Sequence, residues 1–126
     1  MEGVPLVCAV DDDPALCESL DALLRSAGFA VRTFSSAEEF LRWSASHEAH
    51  CLVLDYAMPG MNGLELRRAL LDRGNAVPVI FATAVGREDV WDQLVACGAF
   101  AVLPKPVNAE ALLDAVQGAL SGRHSP

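Results

Sequence analysis

Asp55 is the residue of this sequence whose setting is best suited to chemistry. It ends the apolar run Cys51–Leu54 and begins a loop with two strong turn dipeptides, Pro-Gly at 59–60 and Asn-Gly at 62–63. A short apolar run bounded by turn signals is typical of a buried strand. We therefore expect Asp55 at the exit of a strand, lifted out of the core and held by a rigid frame.

Three other apolar runs also end in residues that can do chemistry. Asp11 and Asp12 follow the first run, Thr83 lies at the end of the fourth and Lys105 follows the fifth. Lys105 is the only lysine in the chain, since every other cation is arginine, so the composition does not favour a lysine there. If the runs are parallel strands, their carboxyl ends meet at one edge of a sheet, where open α/β sheets bind ligands.

Three carboxylates and one ammonium at one edge predict a site for a divalent cation and a phosphate. Neighbouring carboxylates repel each other, and without a cation at least one of them keeps its proton. Mg²⁺, or Mn²⁺ in its place, relieves this repulsion and keeps waters that a phosphate oxygen can displace. Lys105 supplies a compact charge that can pair with Asp55 or with a phosphoryl oxygen. The alternative for Lys105 is an ordinary surface lysine.

The elements that position these residues alternate along the chain. Arg32 interrupts the second apolar run, which predicts an edge strand, and Ser36 with Glu39 has the spacing of a capping box. Five strand–helix units in alternation indicate an α/β fold, with a parallel sheet between two layers of helices. Strands are predicted at 4–10, 30–34, 51–54, 77–82 and 100–103, and helices after Asp13, after Ser36, over 64–72, over 86–96 and after Asn108.

Length, charge and cysteine content exclude several classes of protein. The 126 residues fit one domain, and 52% of them are hydrophobic, which excludes disorder. No run is long enough to span a membrane, and the first residues lack the cationic region of a secretion signal. The net charge of −8 argues against direct binding of nucleic acid. The four scattered cysteines predict free thiols in a reducing cytoplasm.

The whole set of residues resembles the receiver domain of two-component response regulators. The resemblance runs from Val4 to about Leu120 and rests on Asp11 and Asp12, Asp55 with Met58, Pro59 and Gly63, Thr83 with Ala84, and Lys105 with Pro106. It implies a doubly wound, CheY-like (flavodoxin-like) sheet of five parallel strands in the order 2-1-3-4-5, with five helices. The receiver domain would cover 1–120, and 121–126 would be a loose tail or the start of a linker. The stretch 83–90 is similar to the FixJ-like branch of the family.

The resemblance implies a metal site around the phosphoacceptor. Asp55 would take a phosphoryl group from a sensor histidine kinase or a phosphotransfer protein and form an acyl phosphate. Asp12, Asp55 and the backbone carbonyl of Ala57 would hold Mg²⁺, while Asp11 would act through a metal-bound water. The domain would not be an enzyme in the usual sense, because it would only accept the group and slowly lose it.

The resemblance also implies a switch. Thr83 and Lys105 would bind phosphoryl oxygens, and the Lys105–Pro106 bond would be cis. Movement of Thr83 toward the phosphate would then repack the surface formed by the last two helices and the last strand, through which the chain is also predicted to form a homodimer.

The sequence departs from the family pattern at the switch. The position three before Lys105 is usually aromatic, and the ring swings inward as the threonine moves. Here the residue is Val102, whose small, stiff side chain cannot fill the vacated space in the same way. Phe100 is expected on the same strand face as Val102 and is a candidate substitute. Ala57 and Val85 occupy the positions that control the attacking water, and their apolar side chains predict slow hydrolysis of the acyl phosphate.

Several residues away from the sheet edge carry less specific signals. Trp91 and Val95 either widen the core face of their helix or form an exposed apolar patch for dimerisation. His47 and His50 are expected to be solvated histidines rather than metal ligands. The adjacent pair Arg67 and Arg68 is expected on a solvated helix face.

Three rival functions remain open from the sequence alone. A phosphatase with an aspartate nucleophile often needs a second aspartate two residues later, where this chain has Ala57. A flavin or nucleotide binder needs a phosphate-cradling loop of small residues after the first strand, where this chain has three aspartates. A degenerate, receiver-like interaction module that is never phosphorylated is the third alternative, and Val102 is the residue that favours it.

Overall fold

A computed structural model of the chain describes residues 3–122. Five parallel strands form one sheet in the order β2-β1-β3-β4-β5, and five helices alternate with them. The predicted α/β fold and strand order are thereby confirmed. The strands are β1 (Leu6–Val10), β2 (Ala30–Phe34), β3 (Cys51–Leu54), β4 (Val79–Thr83) and β5 (Ala101–Pro104), and the helices are α1 (Pro14–Ser26), α2 (Ala37–Ser44), α3 (Gly63–Asp72), α4 (Glu88–Ala96) and α5 (Ala109–Leu120).

The burial of each strand follows its place in the sheet. All residues of the central strands β3 and β4 are buried, because helices cover both faces of the sheet there. β2 is an edge strand, as Arg32 predicted, and its Arg32 and Thr33 are exposed. β5 forms the other edge and is buried only in part.

The sheet separates two layers of apolar side chains. The first layer packs the sheet against α2, α3 and α4, with Phe40, Leu66 and Leu94 among its fully buried members. The second layer packs the opposite face against α1 and α5, with Leu24, Leu112 and Val116 as its fully buried members from these helices. Strands that carry apolar side chains on both faces are therefore covered on both sides, which explains the continuous apolar runs of the sequence.

Four of the five helices within residues 3–122 begin at side-chain caps, with one correction to the prediction. Ser36 accepts a hydrogen bond from the backbone N–H of Glu39 at 3.1 Å, but the Glu39 carboxylate accepts from the N–H and hydroxyl of Ser35 instead of the N–H of Ser36. The predicted capping box is therefore only half formed. A complete capping box joins Asn62 and Glu65 at the start of α3, where the sequence was interpreted only as a turn.

Three elements begin two residues later than predicted: α4, at Glu88 rather than Gly86, and two strands next to prolines. β1 begins at Leu6 rather than Val4, and β4 begins at Val79 rather than Val77, because Pro5 and Pro78 lack the N–H that a strand ladder needs. The Pro78 carbonyl still accepts a bond from Leu52 at 2.9 Å. Of the predicted tail 121–126, residues 123–126 lie outside the described residues. No helix within residues 3–122 is both long and apolar enough to cross a membrane.

Arg67 is buried, which contradicts the prediction of a solvated face for both arginines of α3. Only 6% of Arg67 is exposed, and its guanidinium donates to the backbone carbonyls of Val77 at 2.9 Å, Gly98 at 3.2 Å and Cys97 at 3.3 Å. Arg68 is exposed, as predicted. The guanidinium thus ties α3 to the C-terminal end of α4 and to the segment before β4.

His47 and His50 are exposed, but both make contacts within the chain. His47 stacks on the Trp43 ring with 4.9 Å between centroids, and His50 accepts a hydrogen bond from the N–H of Leu6 at 2.9 Å. The four cysteines are free thiols, as predicted. Burial raises the pKa of the Cys8 and Cys51 thiols to about 12, so both remain protonated at neutral pH.

Candidate functional site

The candidate site lies at the carboxyl ends of the strands. In the sheet register, Val10 lies opposite Leu54, so the residues that follow them, Asp11 and Asp55, leave adjacent strands at the same level. The Asp55 N–H donates to the Val10 carbonyl at 3.0 Å, which fixes the start of the loop. The predicted strand exits therefore place both carboxylates at one edge.

The lysine is in direct contact with two of the three carboxylates. Lys105 Nζ lies 2.8 Å from Asp11 Oδ2 and 3.5 Å from Asp55 Oδ1. Asp11, Asp12 and Asp55 each offer one carboxylate oxygen within 4.8 Å of the other two. Asp11 and Asp55 are only 3% and 5% exposed, whereas Asp12 is exposed. The set is thus a pocket of negative charge with one ammonium at its side.

Burial and charge set the protonation of this cluster. Burial, with the nearby charge of Asp11, raises the pKa of Asp55 to about 6, although Lys105 opposes the shift. Burial by itself lowers the pKa of Lys105, but its hydrogen bond to Asp11 and the charge of Asp55 outweigh this and raise it. The ammonium therefore stays charged at neutral pH, while Asp55 carries an electrostatic cost that a cation would remove.

The donor set fits a hard divalent cation. Both oxygens of Asp11 already have partners, since Oδ2 binds Lys105 Nζ and Oδ1 accepts the N–H of Asp13 at 2.9 Å. Asp12 and Asp55 have more oxygen lone pairs available for a metal than Asp11 has. Ala57, whose carbonyl was predicted as a further ligand, lies exposed on the loop that follows β3. An oxygen-only set of this kind suits Mg²⁺.

The loop after β3 is fixed by contacts that the sequence only partly predicted. The Gly63 N–H donates to the Tyr56 carbonyl at 2.8 Å, and a Cβ at Gly63 would collide with the Asp55 carbonyl. The Glu38 carboxylate, from α2, accepts the N–H of Met61 at 2.9 Å, and this bond lowers the pKa of Glu38. No local signal identified Glu38, because it lies 23 residues from Met61 in the chain.

The predicted switch residue Thr83 lies at the last position of β4, with 1% of its surface exposed. The Lys105 N–H donates to the Thr83 carbonyl at 2.9 Å, which places the two residues on adjacent strand ends. The Thr83 hydroxyl accepts the N–H of Val85 at 3.1 Å. The Lys105–Pro106 bond is cis, as predicted.

The region of the missing aromatic residue differs from the prediction. Val102 packs against the first apolar layer, beside α4, whereas Phe100 packs against the second layer and approaches Gly118 of α5. Phe100 precedes β5 and does not share a face with Val102, so it does not replace the missing aromatic ring. On α4, Trp91 is half-buried and Val95 is 62% exposed.

Clefts around the sheet do not by themselves identify the site. A cleft of about 680 Å³ lies along the edge of β2, among Arg25, Arg32 and Trp43, and is not lined by the carboxylate cluster. An apolar cleft of about 470 Å³ lies between α1 and the start of α5 and is bordered by Lys105. Chemistry rather than volume therefore marks the carboxylate cluster as the candidate site.

Comparisons with known proteins agree with the geometry. The family model of the response regulator receiver domain matches residues 7–117. The transcriptional regulatory protein TdiR of Thauera aromatica is 44% identical over 115 residues, which are 91% of this chain and 51% of TdiR. The transcriptional regulatory protein FixJ of Azorhizobium caulinodans is 39% identical over 119 residues, or 94% of this chain and 56% of FixJ. The chain therefore spans about half the length of these curated relatives.

A solved structure extends the comparison to three dimensions. FixJ-N aligns with a TM-score of 0.88 and 31% identity, over 100% of both chains. The similarity to FixJ that was expected from the stretch 83–90 is thus confirmed. Since the family model covers nearly all of the described residues, the chain belongs to the receiver domains of two-component response regulators.

Proposed function

We propose that Asp55 accepts a phosphoryl group from a sensor histidine kinase or a phosphotransfer protein, in a reaction that requires Mg²⁺. The observation that carries the proposal is the contact of Lys105 Nζ with Asp11 at 2.8 Å and Asp55 at 3.5 Å, beside an exposed Asp12. This arrangement offers a nucleophile, a place for a metal and a cation for the transferred group at one strand edge. We further propose that the domain catalyses no other reaction.

The chemistry is a phosphoryl transfer between two proteins. A carboxylate oxygen of Asp55 forms a bond to phosphorus while the phosphorus–nitrogen bond of the donor's phosphohistidine breaks, and the imidazole leaves with the electron pair. Mg²⁺, held by Asp12, Asp55 and the Ala57 carbonyl, would neutralise negative charge on the phosphoryl oxygens. Lys105 would neutralise a second oxygen, and the Thr83 hydroxyl would donate to a third.

The phosphodonor needs a surface next to Asp55. The apolar cleft between α1 and the start of α5 is lined by Leu16, Leu20 and Leu23 and borders the site at Lys105. An apolar surface next to a reactive group is suited to a helical partner that inserts its own apolar side chains. We propose that the histidine-bearing helices of the donor dock in this cleft.

The phosphoacceptor role predicts a covalent adduct that depends on one carboxylate. Incubation with acetyl phosphate and Mg²⁺ is expected to add the mass of one phosphoryl group to the intact chain. Asp55→Asn is expected to abolish the adduct, because the amide nitrogen and oxygen cannot act as the nucleophile. Asp72→Asn, at the exposed end of α3, is the matched control and should retain it. No adduct on the parent chain, or an adduct that survives in Asp55→Asn, would refute the proposal.

The lifetime of the acyl phosphate is expected to be long. Ala57 offers no polar group, and Val85 packs against the first apolar layer, so neither side chain can orient an attacking water. Ala57→Asn is expected to shorten the lifetime by roughly an order of magnitude, because an amide next to Asp55 can hold a water in line. The decay of the adduct is followed by intact mass after the phosphodonor is removed. Ala22→Asn, on an exposed part of α1, is the control, and equal lifetimes for Ala57→Asn and the parent would contradict the prediction.

We propose that 1–120 form the receiver unit, that 121–126 are a tail or the start of a linker, and that the domain works in the cytoplasm without binding nucleic acid itself. A homodimer would use α4, β5 and α5, where Val95 is 62% exposed. The alternative of an unphosphorylated interaction module retains only Val102 in its favour, whereas the contacts of Lys105 favour phosphorylation.

A further inference from the structure

We propose that Trp91 is the positioning residue that links Thr83 to α4, in place of the aromatic ring that is absent at Val102. The inference rests on the proposed function, since it concerns how phosphorylation of Asp55 is transmitted to the surface. It assigns the role to a side chain on the helix itself rather than on β5. It also accounts for a switch in a chain whose β5 carries only a valine at the usual position.

A continuous path of hydrogen bonds connects Thr83 with Trp91. The N–H of Val85 donates to the Thr83 hydroxyl at 3.1 Å, and the carbonyl of the same Val85 accepts the indole N–H of Trp91 at 2.6 Å. Both polar groups of one peptide residue are thus engaged, one by the switch hydroxyl and one by the helix. A displacement of Val85 cannot occur without a change at Trp91.

Trp91 also shares a cavity with the phosphoryl-binding residues. A cavity of about 380 Å³ is lined by Thr83, Trp91 and Lys105, together with the loop between β4 and α4. The indole therefore borders the space into which the loop would have to rearrange. Val85 lines this cavity as part of the loop, Val102 does not line it, and neither valine can fill it as an aromatic ring would.

The two ends of α4 are held differently, which directs any movement to the end that carries Trp91. At the N-terminus, Arg87 provides no side-chain cap. At the C-terminus, the buried Arg67 binds the carbonyls of Cys97 and Gly98. A helix anchored at one end and uncapped at the other is expected to tilt or fray at the uncapped end.

The expected sequence of events follows from these contacts. When the Thr83 hydroxyl turns to donate to a phosphoryl oxygen on Asp55, its oxygen leaves the line of the Val85 N–H. The loop then shifts, and the Val85 carbonyl withdraws from the indole N–H of Trp91. The first turn of α4 is released, and the indole changes its exposure at the surface formed by α4 and β5.

The chain offers its own control, because it contains two tryptophans. Trp43 lies on α2, packed against Phe34 and stacked on His47, and does not line the cavity next to Thr83. In a Trp43→Phe variant the tryptophan fluorescence comes from Trp91 alone, and in a Trp91→Phe variant it comes from Trp43 alone. Either variant keeps an aromatic ring and removes one indole N–H.

The first test measures tryptophan fluorescence with acetyl phosphate and Mg²⁺, while intact mass follows the adduct in the same samples. In Trp43→Phe, formation of the adduct is expected to shift the Trp91 emission to longer wavelength and to increase its quenching by acrylamide. In Trp91→Phe, the emission of Trp43 should stay unchanged. An adduct without a change at Trp91 overturns this inference and leaves the proposed function intact. Absence of the adduct overturns both.

The second test measures the rate of adduct formation. If the indole holds the loop in its resting arrangement, loss of the N–H in Trp91→Phe should make the active arrangement easier to reach. One hydrogen bond of ordinary strength corresponds to an increase in rate of about 2- to 10-fold. Trp43→Phe is expected to react at the parental rate. Equal rates for Trp91→Phe and Trp43→Phe would show that the indole N–H has only a structural role and would overturn the inference.

Discussion

A Lys105→Met variant is expected to form the Asp55 adduct about 10²- to 10³-fold more slowly than the parent chain, which is the usual effect of removing one group that stabilises charge in a transition state. Methionine keeps most of the length of the side chain and removes its charge. The ammonium lies 2.8 Å from Asp11 and 3.5 Å from Asp55, so it is already where a phosphoryl oxygen would develop negative charge. The rate is measured by intact mass with acetyl phosphate at saturating Mg²⁺.

The same variant should bind Mg²⁺ more tightly. Without the ammonium, the three carboxylates lose their cation, and their mutual repulsion increases the benefit of a divalent ion. A slower reaction combined with tighter metal binding separates a lysine that acts on the phosphoryl group from one that merely supports the fold. Arg25→Met removes a cation from an exposed ion pair on α1 and is the control. A Lys105→Met variant with the parental rate would contradict the role of Lys105.

The second large effect is on stability. Arg67→Met is expected to lower the free energy of unfolding by roughly 3–5 kcal/mol, because it leaves the carbonyls of Val77, Cys97 and Gly98 without the donor that now satisfies them. Within residues 3–122, every buried side-chain nitrogen or oxygen already has a hydrogen-bond partner. No buried side chain there is therefore left over to donate to these carbonyls in place of Arg67. Urea denaturation followed by circular dichroism measures the change.

Arg68 provides the matched control for this measurement. It is the next residue of the same helix, but it is exposed, so Arg68→Met should change the free energy of unfolding by about 0.5 kcal/mol or less. A loss in Arg67→Met no larger than in Arg68→Met would mean that water replaces the guanidinium at the three carbonyls. The anchor proposed for the C-terminal end of α4 would then be absent.

The sequence contained enough information to locate the strand ends and the residues on them. Asp55 and Lys105 could be placed because a buried strand has a local sequence pattern, an apolar run followed by turn residues. In a parallel sheet, the residue that follows each such run lies at the carboxyl edge of the sheet, so the pattern fixes its position. The cluster of Asp11, Asp12 and Asp55 could therefore be predicted without knowledge of any distance.

Contacts between segments that are far apart in the chain have no such local sequence pattern. Arg67 was misplaced because its neighbours in the helix do not reveal that carbonyls from 77, 97 and 98 converge on it. Glu38 was missed because its partner Met61 belongs to another loop. Phe100 was wrongly assigned because β5 begins one residue after it, at Ala101, and the ring packs toward α5. The alternation that puts residues i and i+2 on one face holds only within a strand, so it does not place Phe100 beside Val102.

The two apolar layers on opposite faces of the sheet have a consequence for how such a domain can evolve. The cleft proposed for the phosphodonor borders the layer beneath α1 and α5, whereas Val85 and Val102 belong to the layer beneath α4. Substitutions that change partner choice therefore fall in a different core from those that tune the response. Mutations in the two layers are expected to be nearly additive, so a lineage, or a protein engineer, can change the partner of this domain while the response of α4 is kept.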